Sequence, residues 1–433
     1  MAGSSTGGGI GPAPFDLDHC VHCGLCLNVC PTYRELGLEM DSPRGRVYQM
    51  VKVAAGELEI GPSYLEHIDL CLACRACETA CPSGVKYGRL VEAARAEIEQ
   101  KIERPAGVRL VRSLVFGYLL QSRFALRAAG LLLFLYQKSG VQWLVRATRI
   151  LKLFGRLDRI ERLAPAAEFP TFFRHYGKVF PALGERKRRV ALLGGCIANV
   201  TFARLGEATI RVLQRNGCEV VVPGDQTCCG ALHVHSGLRE EARRLARRNI
   251  DALLGAGFEA IITNAAGCGS MLKEYGELLE DDPEYADRAR RFVALIRDVS
   301  EFLAETGVSG EMAPVRAVAT YQDSCHLAHG QKVRAQPRKL LAAAPGLEFR
   351  EMTRSDICCG SAGIYNVVQN EMALAVLRAK MEDVNATGAG IVVTANPGCL
   401  LQLRAGVALW GKKQRVMHVV EVLDEAYRGA GKQ

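Results

Sequence analysis

Apolar and polar positions follow three different patterns along the chain. From about residue 182 onward short β-rich runs recur, at Val190–Leu193, Val220–Val222, Ala260–Thr263, Val315–Tyr321 and Ile391–Thr394. Longer stretches of helical character separate them, among them Ala203–Asn216 and Glu371–Thr387. Short strands alternating with helices predict βαβ units and parallel sheets. Between Val108 and Leu163 apolar residues are interrupted by Arg or Lys every three to seven positions, which predicts amphipathic helices. The longest uninterrupted apolar run there, Ala128–Tyr136, has nine residues, where a spanning helix needs about twenty. Before residue 104 neither period dominates, and cysteines set the pattern.

These shifts predict an α+β multidomain chain. Residues 1–14 read as a small, Gly-rich flexible tail and 15–103 as a helical, ferredoxin-like domain. Residues 104–181 read as the basic amphipathic segment, ending in a Pro-containing linker from Ala164 to Pro181. The remainder is an internal repeat of two α/β halves, 182–310 and 311–433. In the first half 31 residues separate Cys196 from Cys228-Cys229-Gly230, and 38 separate Cys229 from Cys268. In the second the corresponding gaps are 32, from Cys325 to Cys358-Cys359-Gly360, and 39, from Cys359 to Cys399. Each half is therefore expected to present four thiols from loops at strand ends, the edge where open parallel sheets place their sites.

The 17 cysteines among 433 residues are an odd and high number, and the N-terminus has no apolar core of a secretory signal. That combination predicts a reduced, cytoplasmic protein whose thiols are free to bind metal. The net charge of +9 is concentrated: Arg104 to Arg162 holds twelve Lys or Arg against Asp158 and Glu161, a net +10. A cationic face opposite Leu, Phe and Trp143 suits a helix lying in the interface of an anionic membrane. It equally suits a helix whose apolar face packs on a neighbouring domain while its arginines stay solvated. Nucleic acid is not expected, because base-reading side chains are missing and the other domains carry no excess charge.

Two motifs carry the chemistry: Cys20-x2-Cys23-x2-Cys26-x3-Cys30-Pro31 and Cys71-x2-Cys74-x2-Cys77-x3-Cys81-Pro82. Three cysteines at that spacing wrap one face of a 4Fe-4S cubane, and the fourth reaches the other cluster. Cys20, Cys23, Cys26 and Cys81 are then one ligand set, and Cys71, Cys74, Cys77 and Cys30 the other. The proline is expected to end the helix that carries the fourth cysteine. Zinc would need only four thiolates per ion and gives no reason for the third spaced Cys or the Cys-Pro. No C-x-x-C-H haem site occurs. His22, inside the first motif, is a minor candidate ligand, as are His233, His235 and His326 beside the repeat cysteines. Cys218, outside the repeat, reads as a buried structural residue.

On these motifs, on Ser42-Pro43-Arg44-Gly45-Arg46, and on the two Cys-Cys-Gly halves, the chain resembles the iron–sulfur subunits of bacterial glycolate oxidase over nearly its full length. The same plan is similar to that of lactate and anaerobic glycerol-3-phosphate dehydrogenase subunits and of heterodisulfide reductase. The resemblance implies an electron-transfer subunit of an oxidoreductase complex, inactive alone, that receives electrons from flavin-containing hydroxy-acid dehydrogenase subunits. It passes them towards a quinone or other membrane acceptor, and so is expected at the inner face of the cell membrane. A flavin or nicotinamide site is not expected in this chain, since no G-x-G-x-x-G joins a strand to a helix. Cys196, Cys228, Cys229, Cys268, Cys325, Cys358, Cys359 and Cys399 are candidates for further clusters. Each Gly after the pair is expected to take an unusual backbone angle and let N–H groups approach a cluster. In heterodisulfide reductase relatives each half ends in C-x-x-C. Here Met271 and Gln402 replace the last cysteine, which argues against a larger assembly needing a fifth thiolate and against a catalytic reductase.

Overall fold

The computed structural model describes residues 11–12, 14–154, 161 and 164–430. The expected tail, 1–14, falls almost entirely outside them, as do Asp158 and Arg162 of the basic segment. The N-terminal domain is built from short helices, chiefly Pro31–Leu36, Pro43–Ala54, Pro62–Asp69, Ala76–Ala80 and Tyr87–Lys101. Three of them open on a proline, whose fixed φ suits the first turn and whose missing N–H would have no partner there. Pro31 thus starts a helix with Cys30 as its N-cap, the reverse of the expected helix-ending role. Pro82 does follow a helix end, Cys81 being the C-cap of Ala76–Ala80. The long helix buries Leu90, Val91, Ala94 and Ile98 against Val47, Met50, Tyr64 and Ile68. Each large aliphatic side chain so buried contributes about 1.5–3 kcal/mol.

The basic segment is helical, as its period predicts: Ala106–Arg112 runs on through Ser113–Leu119, and Arg123–Lys138 and Val141–Thr148 follow. The first two stretches and Arg123–Lys138 meet at a bend of 108°. Phe116, Leu120 and Leu126 pack on the first half beside Phe173, Val200 and Leu245. Gly130 lies so close to Val200 that a Cβ there would stand 2.5 Å from its Cγ1. The other faces leave Leu114, Tyr118, Leu132 and Leu144 exposed, with Phe124 at 79% and Trp143 at 73%. Among the described residues no single helix is long and apolar enough to cross a membrane.

The halves repeat one topology. In the first, strands β1 (Lys178–Phe180), β2 (Arg188–Leu192), β3 (Cys218–Val222), β4 (Ala260–Thr263) and β5 (Ile296–Asp298) lie in the order β1-β3-β2-β4-β5. In the second, β6 (Ala317–Tyr321), β7 (Leu347–Phe349), β8 (Ile391–Thr394) and β9 (Arg415–His418) lie in the order β7-β6-β8-β9. All pairings are parallel except that of β1, which runs antiparallel to β3 with Val179 opposite Val221. Apart from β1, the two sheets have the same strand order and direction. The stretch read as linker therefore belongs to the first half: it supplies β1, and Phe172 and Phe173 are buried. The halves join reciprocally, each packing its first long helix on the other's last. Ala203–Arg215 meets Val419–Ala430, and Val299–Thr306 meets Ala335–Ala342. Arg211 clasps Asp424 with two hydrogen bonds of 2.8 and 2.7 Å across this joint.

Candidate iron–sulfur sites

The two ferredoxin motifs fold alike. His22 and Gly24 in the first, and Ala73 and Arg75 in the second, occupy equivalent positions with φ of 54°, 84°, 50° and 63°. Alternating right- and left-handed residues turn successive N–H groups inward, making a concavity that favours negative charge. Ala73 N–H donates to Cys71 Sγ at 3.3 Å. Cys71, Cys74 and Cys77 line one cavity with Cys30 of the other motif, and Arg46 and Tyr87 complete its wall. Cys20, Cys26 and Cys81 border the same domain core, and Cys23 is exposed. His22 is exposed too, and its carbonyl accepts from Arg44 Nη1 at 3.0 Å.

The Ser-Pro-Arg-Gly-Arg segment builds the wall of that cavity. Ser42 caps the helix by accepting from Gly45 N–H, and Pro43 fills the first turn. Arg44 holds Glu39 and the first motif's loop. A Cβ on Gly45 would stand 1.9 Å from the Glu39 carbonyl oxygen, so only glycine fits. Arg46 is 1% exposed and donates to His67 O at 2.6 Å, Thr32 Oγ1 at 3.1 Å and Asp41 Oδ1 at 3.2 Å. Tyr87 hydroxyl donates to Cys71 Sγ at 3.6 Å. These two residues set the charge and hydrogen bonding around that cavity. Their role was invisible in sequence because nothing local marks the burial of an arginine.

In each half the thiols lie at the C-terminal ends of the first three strands of the repeat. Cys196 follows β2 and the Cys228-Cys229 pair follows β3, while Cys268, placed beyond β4, sits in the first turn of helix Ala266–Lys273. Cys325, Cys358-Cys359 and Cys399 repeat this after β6, β7 and β8, with Cys399 in the first turn of Pro397–Trp410. The last cysteine of each half is thus on a helix and not on a loop. Hydrogen-bonding contacts run from Cys196 through Cys228 and Cys229 to Cys268, and from Cys325 through Cys358 and Cys359 to Cys399. Gly230 and Gly360 take φ of 86° and 88°, and Gly360 N–H donates to Cys358 Sγ at 3.4 Å. Among the described residues no three His, Cys, Asp or Glu side chains converge at single-ion spacing. Four thiols in each half match in number a cluster that takes one thiolate on each iron. Met271 is buried in the first half's core. Gln402 donates to Ala373 O at 3.4 Å and accepts from Asn366 at 3.2 Å. Both residues do structural work where a fifth thiol would stand.

The second motif is the junction of the molecule. Cys74 packs against Cys358, with Leu72, Ala76, Tyr365 and Ala373 around them. Burial, then the neighbouring Cys358 thiol, pushes the Cys74 pKa up, and burial does the same to Cys77. Metal must therefore displace protons from this cavity on binding. His326 Nε2 donates to Ala73 O at 3.1 Å and Tyr365 hydroxyl to Leu70 O at 2.8 Å. From the first half, Glu274 pairs with Arg75, and the His235 carbonyl accepts from Arg95 at 3.2 Å. His235 and His326 meet edge to face with centroids 5.2 Å apart. Burial lowers their pKa values to about 4 and about 3, so both are neutral. His233 bonds Phe116 O at 2.9 Å and ties the basic segment to the first half. Cys218 is buried at the start of β3.

Two cysteine motifs of one geometry in a helical domain, one of them lining a cavity and packed thiol to thiol on a duplicated Cys-Cys-Gly fold, define an iron–sulfur electron-transfer protein. Known proteins carry the same parts. The family model for a 4Fe-4S dicluster domain matches residues 16–85, and that for a cysteine-rich domain matches 190–273 and 319–404. The model for the linker region of the glycolate oxidase iron-sulfur subunit matches 107–164. The chain is 43% identical over 417 residues to the probable glycolate oxidase iron-sulfur subunit of Bacillus subtilis, covering 95% of this chain and 94% of that one. It is 34% identical to the glycolate oxidase iron-sulfur subunit of Escherichia coli, covering 95% and 94%. Lactate utilization protein A of Bacillus subtilis is 32% identical over 54% of this chain and 99% of that one. The chain belongs to the glycolate oxidase iron-sulfur subunit family. It is an electron-transfer subunit that works in an oxidoreductase complex with a catalytic subunit, and the lactate relatives fit it no better.

Proposed function

We propose that the chain receives electrons from a flavin subunit that oxidises glycolate to glyoxylate and relays them towards a membrane acceptor. Bound clusters supply one-electron sites, which split the two-electron oxidation of a hydroxy acid into single steps. Cys20, Cys23, Cys26 and Cys81 would hold one 4Fe-4S cluster, and Cys71, Cys74, Cys77 and Cys30 the other. The repeat thiols would hold a further site in one or both halves. The observation that carries the reading is the contact of Cys74 with Cys358, which joins the ferredoxin cavity to the second half within one buried cluster. Arg46 and the inward N–H groups stabilise added negative charge there. The chain assembled with its partners should show cluster paramagnetic signals on adding glycolate. The chain alone should be brown and inactive with glycolate and a dye, and turnover by it at the rate of the complex would refute the relay.

The same reading puts the protein at the cytoplasmic face of the membrane. The basic segment combines exposed Phe124, Trp143 and Leu144 with exposed Arg109, Arg127 and Arg149. Each cation near an anionic leaflet contributes about 1 kcal/mol. Replacing Arg109, Arg127, Arg149 and Lys152 with Gln should reduce co-sedimentation with phosphatidylglycerol vesicles, and salt should weaken the wild type. Equal binding by wild type and variant, indifferent to salt and lipid charge, would make this face a protein–protein surface.

A further inference from the structure

We propose that the cavity between the bend of the basic segment and the first half binds the ring of a lipid-soluble quinone, the final acceptor of the relayed electrons. This rests on the relay reading and assigns it an exit. The cavity measures about 350 Å³, within the range of small-molecule sites. Cys196 and Cys228 form its floor, Leu120, Leu126 and Phe173 its apolar walls, and Arg123, Arg248 and Asp225 stand at its polar side.

Three features point to a quinone. The first is asymmetry between the repeated sites. Cys325 and Cys358, the counterparts of Cys196 and Cys228, are covered by Leu72, Cys74 and Tyr365, so that site faces the incoming electrons. The first-half thiols face the cavity instead, the place for a molecule that takes electrons away. The second is the kind of polar group available. Gln226 is consumed by Gly194, Leu192 and Pro223, and Tyr176 by Asn199 and Gly195. Arg248 and Asp225 make no hydrogen bond or ion pair among the described residues. An unpaired guanidinium beside a ring carbonyl stabilises the singly reduced anion, and an unpaired carboxylate in contact with water can pass protons inward. The third is access. Leu120 and Gln121 line the cavity and lie in the 108° bend between the two apolar helices. Phe124, beside the lip residue Arg123, is 79% exposed, and Leu132 lies open further along the same helix. A molecule dissolved in the lipid phase would reach the cavity at that bend.

The reaction balances as quinone plus two electrons plus two protons giving quinol. The electrons come singly from hydroxy-acid oxidation through the chain, and the protons from water by way of Asp225. No bond to the protein forms.

The test uses the assembled complex in phosphatidylglycerol vesicles and an azido-quinone photolabel. Label is expected in peptides containing Leu120–Leu126, Asp225–Cys228 or Arg248–Ala252, and an excess of decyl-quinone should displace it. Ala252→Trp, which fills the cavity from the first-half side, should cut labelling about tenfold or more. Its cluster resonances report whether it has folded. Should it fail to fold, Arg248→Glu serves instead and should also lower labelling. If glycolate reduces the clusters but the label falls elsewhere, or fills both variants as it does the wild type, the cavity assignment is wrong and the relay stands. If glycolate does not reduce the clusters of the wild-type complex, the relay itself fails.

Discussion

Replacing Arg46 with Gln tests whether the buried arginine sets the potential of the second cluster. Arg46 is inside the wall of the Cys30, Cys71, Cys74 and Cys77 cavity, 1% exposed, and its charge is shared with Asp41 at 3.2 Å. Adding an electron to the cluster adds a negative charge that this guanidinium stabilises. At an effective dielectric of about 20, a unit charge about 6 Å away is worth about 3 kcal/mol. For a one-electron couple that is on the order of 100 mV. Removal also leaves Asp41 buried with only His67, at 3.0 Å, beside it, so the change in potential has the same sign from both residues. Arg46→Gln should therefore lower the potential of the second cluster by about 100 mV, with Arg46→Lys intermediate because the charge stays but the hydrogen bonds to His67, Thr32 and Asp41 cannot all be kept. The fold should weaken by about 3–5 kcal/mol, the cost of breaking a buried ion pair. The assay is a redox titration followed by paramagnetic resonance. A potential unchanged to within about 20 mV, or raised, would show that the arginine is structural and that solvent screens it from the cluster.

The other expectations are direct. Cys30→Ser should damage the cluster held by Cys71, Cys74 and Cys77 and spare the one at Cys20, Cys23 and Cys26, which resonance of the reduced variant will resolve; loss of the other cluster would overturn the cross-ligation. Gly360→Ala forces a Cβ to 2.5 Å from Ala373 O at φ 88°, and should cost about 1–3 kcal/mol in denaturant unfolding. Gly230→Ala, whose nearest contact is Ala242 at 3.3 Å, should cost less. Iron and acid-labile sulfide counted after anaerobic purification should exceed the roughly eight of each that two cubanes supply, and eight alone would mean that the repeat thiols hold none.

The cysteines were legible because ligand spacing is a local property, and the repeat because its two copies share that spacing. β2, β3, β4, β6 and β8 were legible for a related reason: central strands of a parallel sheet are continuous apolar runs. The edge and short strands were not. β5, β7 and β9 carry Arg297, Glu348 and Arg415 within three or four residues, and β1 is exposed at two of its three positions. Pro31 misled because a proline after a ligand cysteine marks a helix end and a helix start equally well. The contact of Cys74 with Cys358 had no signature at all, since it depends on how two domains dock, and docking leaves no period in either sequence. Arg46 lay in plain view inside a recognised segment, yet only its burial shows which cavity it faces.

The reciprocal joint between the halves has a consequence for direction. Two copies of one fold, related as subunits of a symmetric dimer are, would offer electrons two equivalent doors. The N-terminal domain touches both halves but sets Cys74 against Cys358 of the second, so the doors differ: one abuts that thiol, the other looks out past Leu120 and Arg123. On the proposed relay, duplication supplies two stations and the broken symmetry gives each a different neighbour. Mutations that open the Tyr365 side or close the Leu120 side should therefore change how fast electrons enter or leave, even with every cysteine in place.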